Sequence, residues 1–572
     1  MHLRTIGQYI KPYAGRIAFQ MCIKISGTVI ELLLPSMLSI ILDRYAPVGD
    51  RTGVWIMGIG MIFCAFLAWL GNCCANRMST SISREITRKL RFDLFSKVTA
   101  LSAAQQDAVT DASLISRLTS DTYNVHNMID RMQRLGVRAP MLLLGGIIVS
   151  LALEPVLTLV LIATLPLLAM ATYLSSKKGV PMFTLVQEGQ DKMVRKVQEN
   201  MAGARVIRAL SRTAWERDAF GSANDALSNR QEAADLTMAK VGPFTSFVLN
   251  AGLAFVILVG AYRVHTGASQ PGTIIAFLSY FTIILNALLM VTRIFVMYSK
   301  GAASARRIEE ILHMPIDLIR QPLTEAADDS QHIVFDHVSF SYNKKYNNVT
   351  DLTFSLGHGE TLGIIGPTGS GKSTLLSLLM RQYDADSGEI RINGKPIRTL
   401  TAEELHSRLG VVFQSDFLMA DTLRENIRFG RNIADPMLME ALESAQASFI
   451  LQKEGCLDYA LNVKGRNLSG GQQQRVLVSR ALAGDPRILL LDDCSSALDF
   501  RTDRDLRQAL RERHGSATTV IVAQRVSAVM AADHILVMDK GRIIGQGTHD
   551  ELLNSCPMYR ELCILQLGGD AV

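Results

Sequence analysis

At 572 residues the chain exceeds what one hydrophobic core usually organises, so more than one domain is expected. Apolar residues reach 48% against 20% charged, and a mean hydropathy of +0.19 is high for a soluble protein and points to membrane segments. The net charge of +6 is small for this length and does not by itself imply a nucleic-acid partner, and the 8 cysteines lack metal-ligand or disulfide-framework spacing.

Residues 1–16 are polar and basic, and no small-residue cleavage site closes the first apolar run. That run therefore reads as a retained span, not a signal peptide. Stretches of about 20 apolar residues lie near 17–42, 54–74, 135–153, 156–174, 244–262 and 274–298, giving six candidate spans. The links 43–52, 154–155 and 263–272 are short and carry few basic residues. The links 79–134 and 175–241 are long, helical in pattern and basic (Arg84, Arg88, Lys89, Arg91; Lys177, Lys178, Arg195, Lys196). The positive-inside tendency places these long links and both termini in the cytoplasm. Each holds a polar reversal, 111–121 and 201–220, where a helical stalk would turn. Such segments are either solvated helix faces or docking elements for a cytoplasmic domain.

Glu31, Asn286 and Arg293 fall inside the candidate spans, where an ionisable or polar group usually faces a cavity or a partner. Glu31 either attracts a cationic substrate, pairs with a neighbouring helix or sits near a tilted span's edge. Met57, Met61, Phe277, Phe281, Met290 and Phe295 read first as lipid or helix-packing surface, with an adaptable pocket as the alternative.

Composition changes after Ala302: residues 321–331 are polar and acidic, and no further span follows. From Ile333 onward short β-rich runs alternate with helical patterns, as in an α/β domain. A strand-like run at 361–365 enters Gly366-Pro-Thr-Gly-Ser-Gly-Lys-Ser373, a P-loop in strand–loop–helix context. Its Gly366, Thr368, Gly369, Ser370, Gly371 and Thr374 would wrap phosphate oxygens, with backbone N–H groups and a helix N-terminus pointing at them. Lys372 would reach the β- and γ-phosphates of ATP and Ser373 would ligate Mg2+. The apolar run 488–491 ends in Asp492-Asp493, and Asp492 is placed to coordinate that magnesium. Between them, Leu468-Ser469-Gly470-Gly471-Gln472 opens a helical pattern and forms a second anion-binding surface.

The order of P-loop, Leu-Ser-Gly-Gly-Gln and acidic strand end resembles ATP-binding-cassette transporters, and six preceding spans resemble their exporter-type half-transporters. The resemblance covers essentially the whole chain. It implies that Tyr342, in Val-Ser-Phe-Ser-Tyr, stacks on adenine. It implies that Gln414, in Val-Val-Phe-Gln, senses magnesium and the γ-phosphate, and that Asp499, in Ser-Ala-Leu-Asp, belongs to a loop communicating across a dimer. Two cassettes would close head to tail, the P-loop of one facing the signature of the other, and the two reversals would be coupling helices.

The chain also departs from that pattern. Asp493 stands where the family has the Glu that polarises the attacking water, and Gln524, in Val-Ile-Val-Ala-Gln-Arg, replaces the switch His. Asp is one methylene shorter, and Gln donates a hydrogen bond without carrying a proton or a positive charge. Val463 replaces a Glu found before the signature in many exporters. With every ATP-binding element intact, this resembles the degenerate subunit of heterodimeric exporters. The expected protein is thus multidomain: an all-α six-helix transmembrane domain at 1–316, a linker at 317–332 and an α/β P-loop nucleotide-binding domain at 333–572. Its expected partners are a second half-transporter, the cell membrane and a small amphipathic substrate such as a drug or lipid.

Overall fold

The computed structural model describes residues 4–315, 317–322 and 330–567. Two compact units emerge: Met1–Thr99 with Ala112–Met314, and Ala100–Asp111 with Pro315–Val572.

The first unit is helical. Its long helices are Ala14–Ile40, Arg51–Thr99, Thr122–Leu153, Pro155–Ala202, Thr213–Ala239, Val241–His265 and Pro271–Leu312. Among the described residues, five helical stretches are long and apolar enough to cross a membrane, and Pro155–Ala202, 48 residues in all, is apolar over Pro155–Leu168. Side chains at helical spacing on one face of Arg51–Thr99 (Trp55, Ile59, Ile62, Phe66, Trp69) are exposed, as a lipid-facing stripe requires. Leu32, Leu157, Leu161, Phe277, Tyr280 and Phe281 pack the interior. The two-residue reversal at 154–155 works because Pro155 takes the first helical position, where a missing N–H costs nothing. Glu154 there pairs with Arg263 at 3.3 Å.

Glu31 is held by Arg138 Nη2, at 2.8 and 3.0 Å from its two oxygens, so the neighbouring helix takes this carboxylate. Asn286 and Arg293 are exposed on the surface of the unit. The eight cysteines are free thiols.

The first polar reversal is displaced from 111–121. The chain leaves its helix after Thr99, forms Ala103–Val109, and re-enters helix at Asp111. The stop is local chemistry: Ser102 and Gln105 form a reciprocal capping box, and Thr110 turns the chain at φ 70°. The polar side chains at 111–121 instead lie along the resumed helix, where buried Asp121 pairs with Arg307. The second reversal falls within 201–220, with a short helix Ala204–Ala209 and Ser211 at φ 54°.

Among the described residues the second unit holds ten strands: β1 (Ile333–Phe340), β2 (Val349–Leu356), β3 (Thr361–Ile365), β4 (Ser387–Ile392), β5 (Lys395–Pro396), β6 (Leu409–Val412), β7 (Ile488–Asp492), β8 (Thr518–Val522), β9 (His534–Asp539) and β10 (Arg542–Gly547). One sheet, in the order β2-β1-β4-β5, is antiparallel. β2 alternates buried and solvated positions, as a one-sided sheet does. The other sheet has the order β10-β9-β3-β8-β7-β6, parallel except for its β10 edge. β7 is buried at every position, which its continuous Ile-Leu-Leu-Leu run encodes. A separate apolar cluster forms around the helix Gly470–Leu482.

Of the segment 317–332, residues 323–329 lie outside the described residues. The part that is described is already held by the second unit: Gln321 N donates to Arg398 O at 2.8 Å, and Arg320 Nε to Thr399 O at 2.8 Å.

Candidate nucleotide site

Loops leaving the C-terminal ends of β3, β6, β7 and β8 converge, the usual ligand position in an open α/β sheet. Register makes this possible: Val522 pairs with Ile364 on one side and Asp492 on the other. The cleft they form is lined by Asn348, by Thr368, Gly369 and Gly371–Thr374, and by Gln414, Asp492, Asp493 and Gln524.

Gly371 caps the helix Lys372–Leu379 at φ 100°, and a Cβ there would meet Val349 Cγ1 at 2.8 Å. Glycine is therefore required by both conformation and space. Lys372 Nζ donates to Gly366 O at 2.8 Å and Pro367 O at 2.7 Å. Burial lowers its pKa, with Asp492 and Asp493 working against that shift. Ser370 Oγ is buried and has no hydrogen-bond partner among the described residues, an open donor inside the loop. Together these groups fit a polyphosphate, whose charge the loop amides and Lys372 would answer.

Asp492 ends β7 almost fully buried. Burial raises its pKa, the Ser373 hydrogen bond and Lys372 counteract, and Asp493 pushes upward again. Ser373 and Asp492 both line the cleft, and a hydroxyl and a carboxylate are hard-oxygen groups of the kind magnesium takes.

Asp493 adopts φ 48°, left-handed backbone unusual for a non-glycine residue. Its Oδ2 accepts from Gln524 Nε2 at 3.3 Å and Gln414 Nε2 at 3.4 Å. Gln414 and Gln524, given separate roles by the family resemblance, thus share one carboxylate oxygen. Burial raises the pKa of Asp493, opposed by Arg525, Lys372 and Gln414.

Tyr342 is 46% exposed, with its ring set edge-on to Phe340 and Tyr383 and its hydroxyl donating to Thr374 Oγ1 at 3.3 Å. Tyr383 in turn donates to Asp107 Oδ2 at 2.6 Å, linking the site to the helix Ala103–Val109.

The signature stands apart from this cleft. Ser469 caps the helix Gly470–Leu482, accepting from Gln472 N at 3.3 Å while Gln472 Oε1 accepts from Ser469 N at 3.0 Å. Ser469 and Gly470 are exposed, and none of residues 469–472 lines the cleft. Gln474 ties this helix to the next loop, donating to Ser496 Oγ at 3.2 Å and accepting from Ala497 N at 3.1 Å. Asp499 caps the following helix, accepting from Thr502 N at 2.9 Å.

Asn348 was missed by sequence reasoning. It accepts from Tyr342 N at 3.1 Å, and only the fold brings the end of its loop against the P-loop.

Residues 17–288 match the family model for the ABC transporter transmembrane region, and residues 349–496 the model for ABC transporter. The ABC transporter ATP-binding protein YfiB of Bacillus subtilis is 34% identical over 565 residues, 98% of each chain. Rv1273c of Mycobacterium tuberculosis, of the same description, is 33% identical over 573 residues, 99% of this chain and 98% of its own.

The chain belongs to the ABC transporter family.

A bacterial Atm1-family ABC exporter with ATP bound shares its fold, with a TM-score of 0.82 over 96% of this chain and 98% of that one at 22% identity. This ABC transporter chain therefore joins a multi-pass helical membrane domain to one ATP-binding cassette, the make-up of a half-transporter.

Proposed function

We propose that this chain is the ATP-holding half of an unlike pair of half-transporters that moves a small amphipathic substrate outward across the cell membrane. Its own P-loop site binds ATP with Mg2+ and hydrolyses it slowly. Its signature, Ser469 to Gln472, completes the hydrolytic site of the partner.

The observation that carries this reading is the Asp493 oxygen held between the Gln524 and Gln414 amides. A carboxylate that activates water must accept its proton or orient it, and this one already accepts from two amides. Neither amide takes up a proton or bears charge as an imidazole does. Lys372, Ser370 and the loop amides meanwhile retain what phosphate binding needs. Magnesium, when bound, would offset the charge of the phosphates. Ser373 and Asp492 would hold it; Gln414 would reach it through its oxygen, the end of the amide turned from Asp493. Tyr342 offers a buttressed, exposed ring face for the base. Separation of the signature from the cleft on one chain supports the need for a second cassette.

Copurification from native membranes tests the proposal. The expected result is a stoichiometric second half-transporter carrying Glu and His at the positions matching Asp493 and Gln524. A homodimer with brisk, substrate-stimulated ATPase activity would overturn it.

A further inference from the structure

The switch loop after β8 is anchored by a residue from the far end of the chain. Ala523, Gln524 and Arg525 join β8 to the short helix Val526–Val529, whose N-terminus has no side-chain cap of its own. The Gln566 carboxamide supplies one: its Oε1 accepts from Val526 N at 2.8 Å, and its Nε2 donates to Gln524 O at 3.0 Å. The C=O of one residue and the N–H two residues on are the pair a neighbouring strand would bond. One amide side chain thus does for this loop what a strand edge does for a sheet.

The helix carrying Gln566, Pro557–Leu567, is itself fixed. Tyr559 and Cys563 are buried in a cluster with Val526 and Val529, and the Tyr559 hydroxyl meets His549 Nδ1 at 2.8 Å. On its other side Arg525 lies over the Phe500 ring, 5.1 Å from its centroid. The loop is therefore gripped from two directions, and the Gln524 side chain is left facing Asp493 in the cleft. Gln566 itself is exposed, at the periphery of the unit.

We propose that Gln566 is a positioning residue that sets Gln524 against Asp493 and so tunes how the site tells a nucleoside triphosphate from a diphosphate. Gln524 is the amide donor of this loop in the nucleotide cleft, so a shift of its backbone moves a group that can answer an additional phosphate. The inference rests on the cleft binding ATP and is independent of pairing with an unlike partner.

The test measures MgATP and MgADP binding to the full-length chain in lipid nanodiscs by displacement of a fluorescent ATP analogue. Four proteins are compared: the unsubstituted chain, Gln566→Ala, Gln524→Ala and the double variant. Gln566→Ala is expected to reduce the preference for ATP over ADP by about three- to tenfold, the worth of one or two hydrogen bonds, with ADP affinity within about twofold. Gln566→Glu, which keeps only the acceptor for Val526 N, should lose the preference as well. The decisive readout is the double variant: Gln566→Ala should add nothing once Gln524 is Ala, because its effect passes through that residue. Additive losses, or an equal fall in ATP and ADP affinity, would overturn the positioning role and leave Gln566 a structural cap. Absence of nucleotide binding by the unsubstituted chain would overturn the nucleotide reading and this inference together, whereas retained binding with unchanged preference in Gln566→Ala would overturn the inference alone.

Discussion

Restoring the two altered groups, Asp493→Glu with Gln524→His, is expected to make this chain's own site hydrolytic. An added methylene extends the carboxylate by about 1.5 Å, one carbon–carbon bond. The Asp493 oxygen now sits 3.3 and 3.4 Å from two amide nitrogens, so that displacement changes which atoms it meets. A misplacement of about 1 Å costs roughly a hundredfold in rate, and its correction should return about that factor. Partner turnover must first be silenced, and on the proposed pairing Ser469→Ala should do so without touching this chain's own cleft, which the signature does not line. In the copurified complex carrying Ser469→Ala, phosphate release should rise about a hundredfold when the two restoring substitutions are added. No rise, with ATP occupancy intact, would refute the assignment of Asp493 and Gln524 as the rate-limiting defects. So would a fast rate before restoration.

Acidification should weaken magnesium-dependent ATP binding at a pH above the usual carboxylate range. Burial raises the Asp492 pKa, and the ionised form that binds metal is lost as pH falls through that raised value. Asp492→Asn should remove the pH dependence along with most magnesium binding, as a titration with Mg2+ would show. Tyr342→Ala should weaken ATP binding by about two- to tenfold while Tyr342→Phe, which keeps the ring, stays near the unsubstituted value in the same displacement assay. Asp107→Ala removes the acceptor of the Tyr383 hydroxyl, a charge-assisted bond. Substrate stimulation of ATPase activity should fall with nucleotide affinity unchanged, Tyr383→Phe should match it, and the double variant should fall no further. Glu31→Gln leaves Arg138 without its counter-charge, so the detergent melting temperature should drop and recover in part with Arg138→Gln.

Features encoded over a few consecutive residues were legible in the sequence. The P-loop, the signature with its Ser469–Gln472 cap and the buried run of β7 each declare their local structure, and six apolar stretches became long helices. The displaced first reversal had a legible cause too, since Ser102 and Gln105 stand at capping-box spacing, but the polar run at 111–121 drew the assignment away from it. The meeting of Gln414, Asp493 and Gln524 was out of reach. It depends on β6, β7 and β8 lying side by side, an order set by crossovers that no short window contains. Gln566 was hidden for the same reason, 40 residues from Val526.

The helix Arg51–Thr99 has mechanical consequences. Its 49 residues amount to a rod of about 73 Å, more than twice the roughly 30 Å of a bilayer's hydrocarbon core. It contains no proline, and its last glycine is Gly71, so the stretch from there to Thr99 has no built-in hinge. A rod of that kind acts as a lever: a tilt of about 5° at one end sweeps the other through about 6 Å, over half a helix diameter. Angular changes too small to disturb side-chain packing at the membrane end become displacements of a whole helical turn at Thr99, where the chain passes into Ala103–Val109.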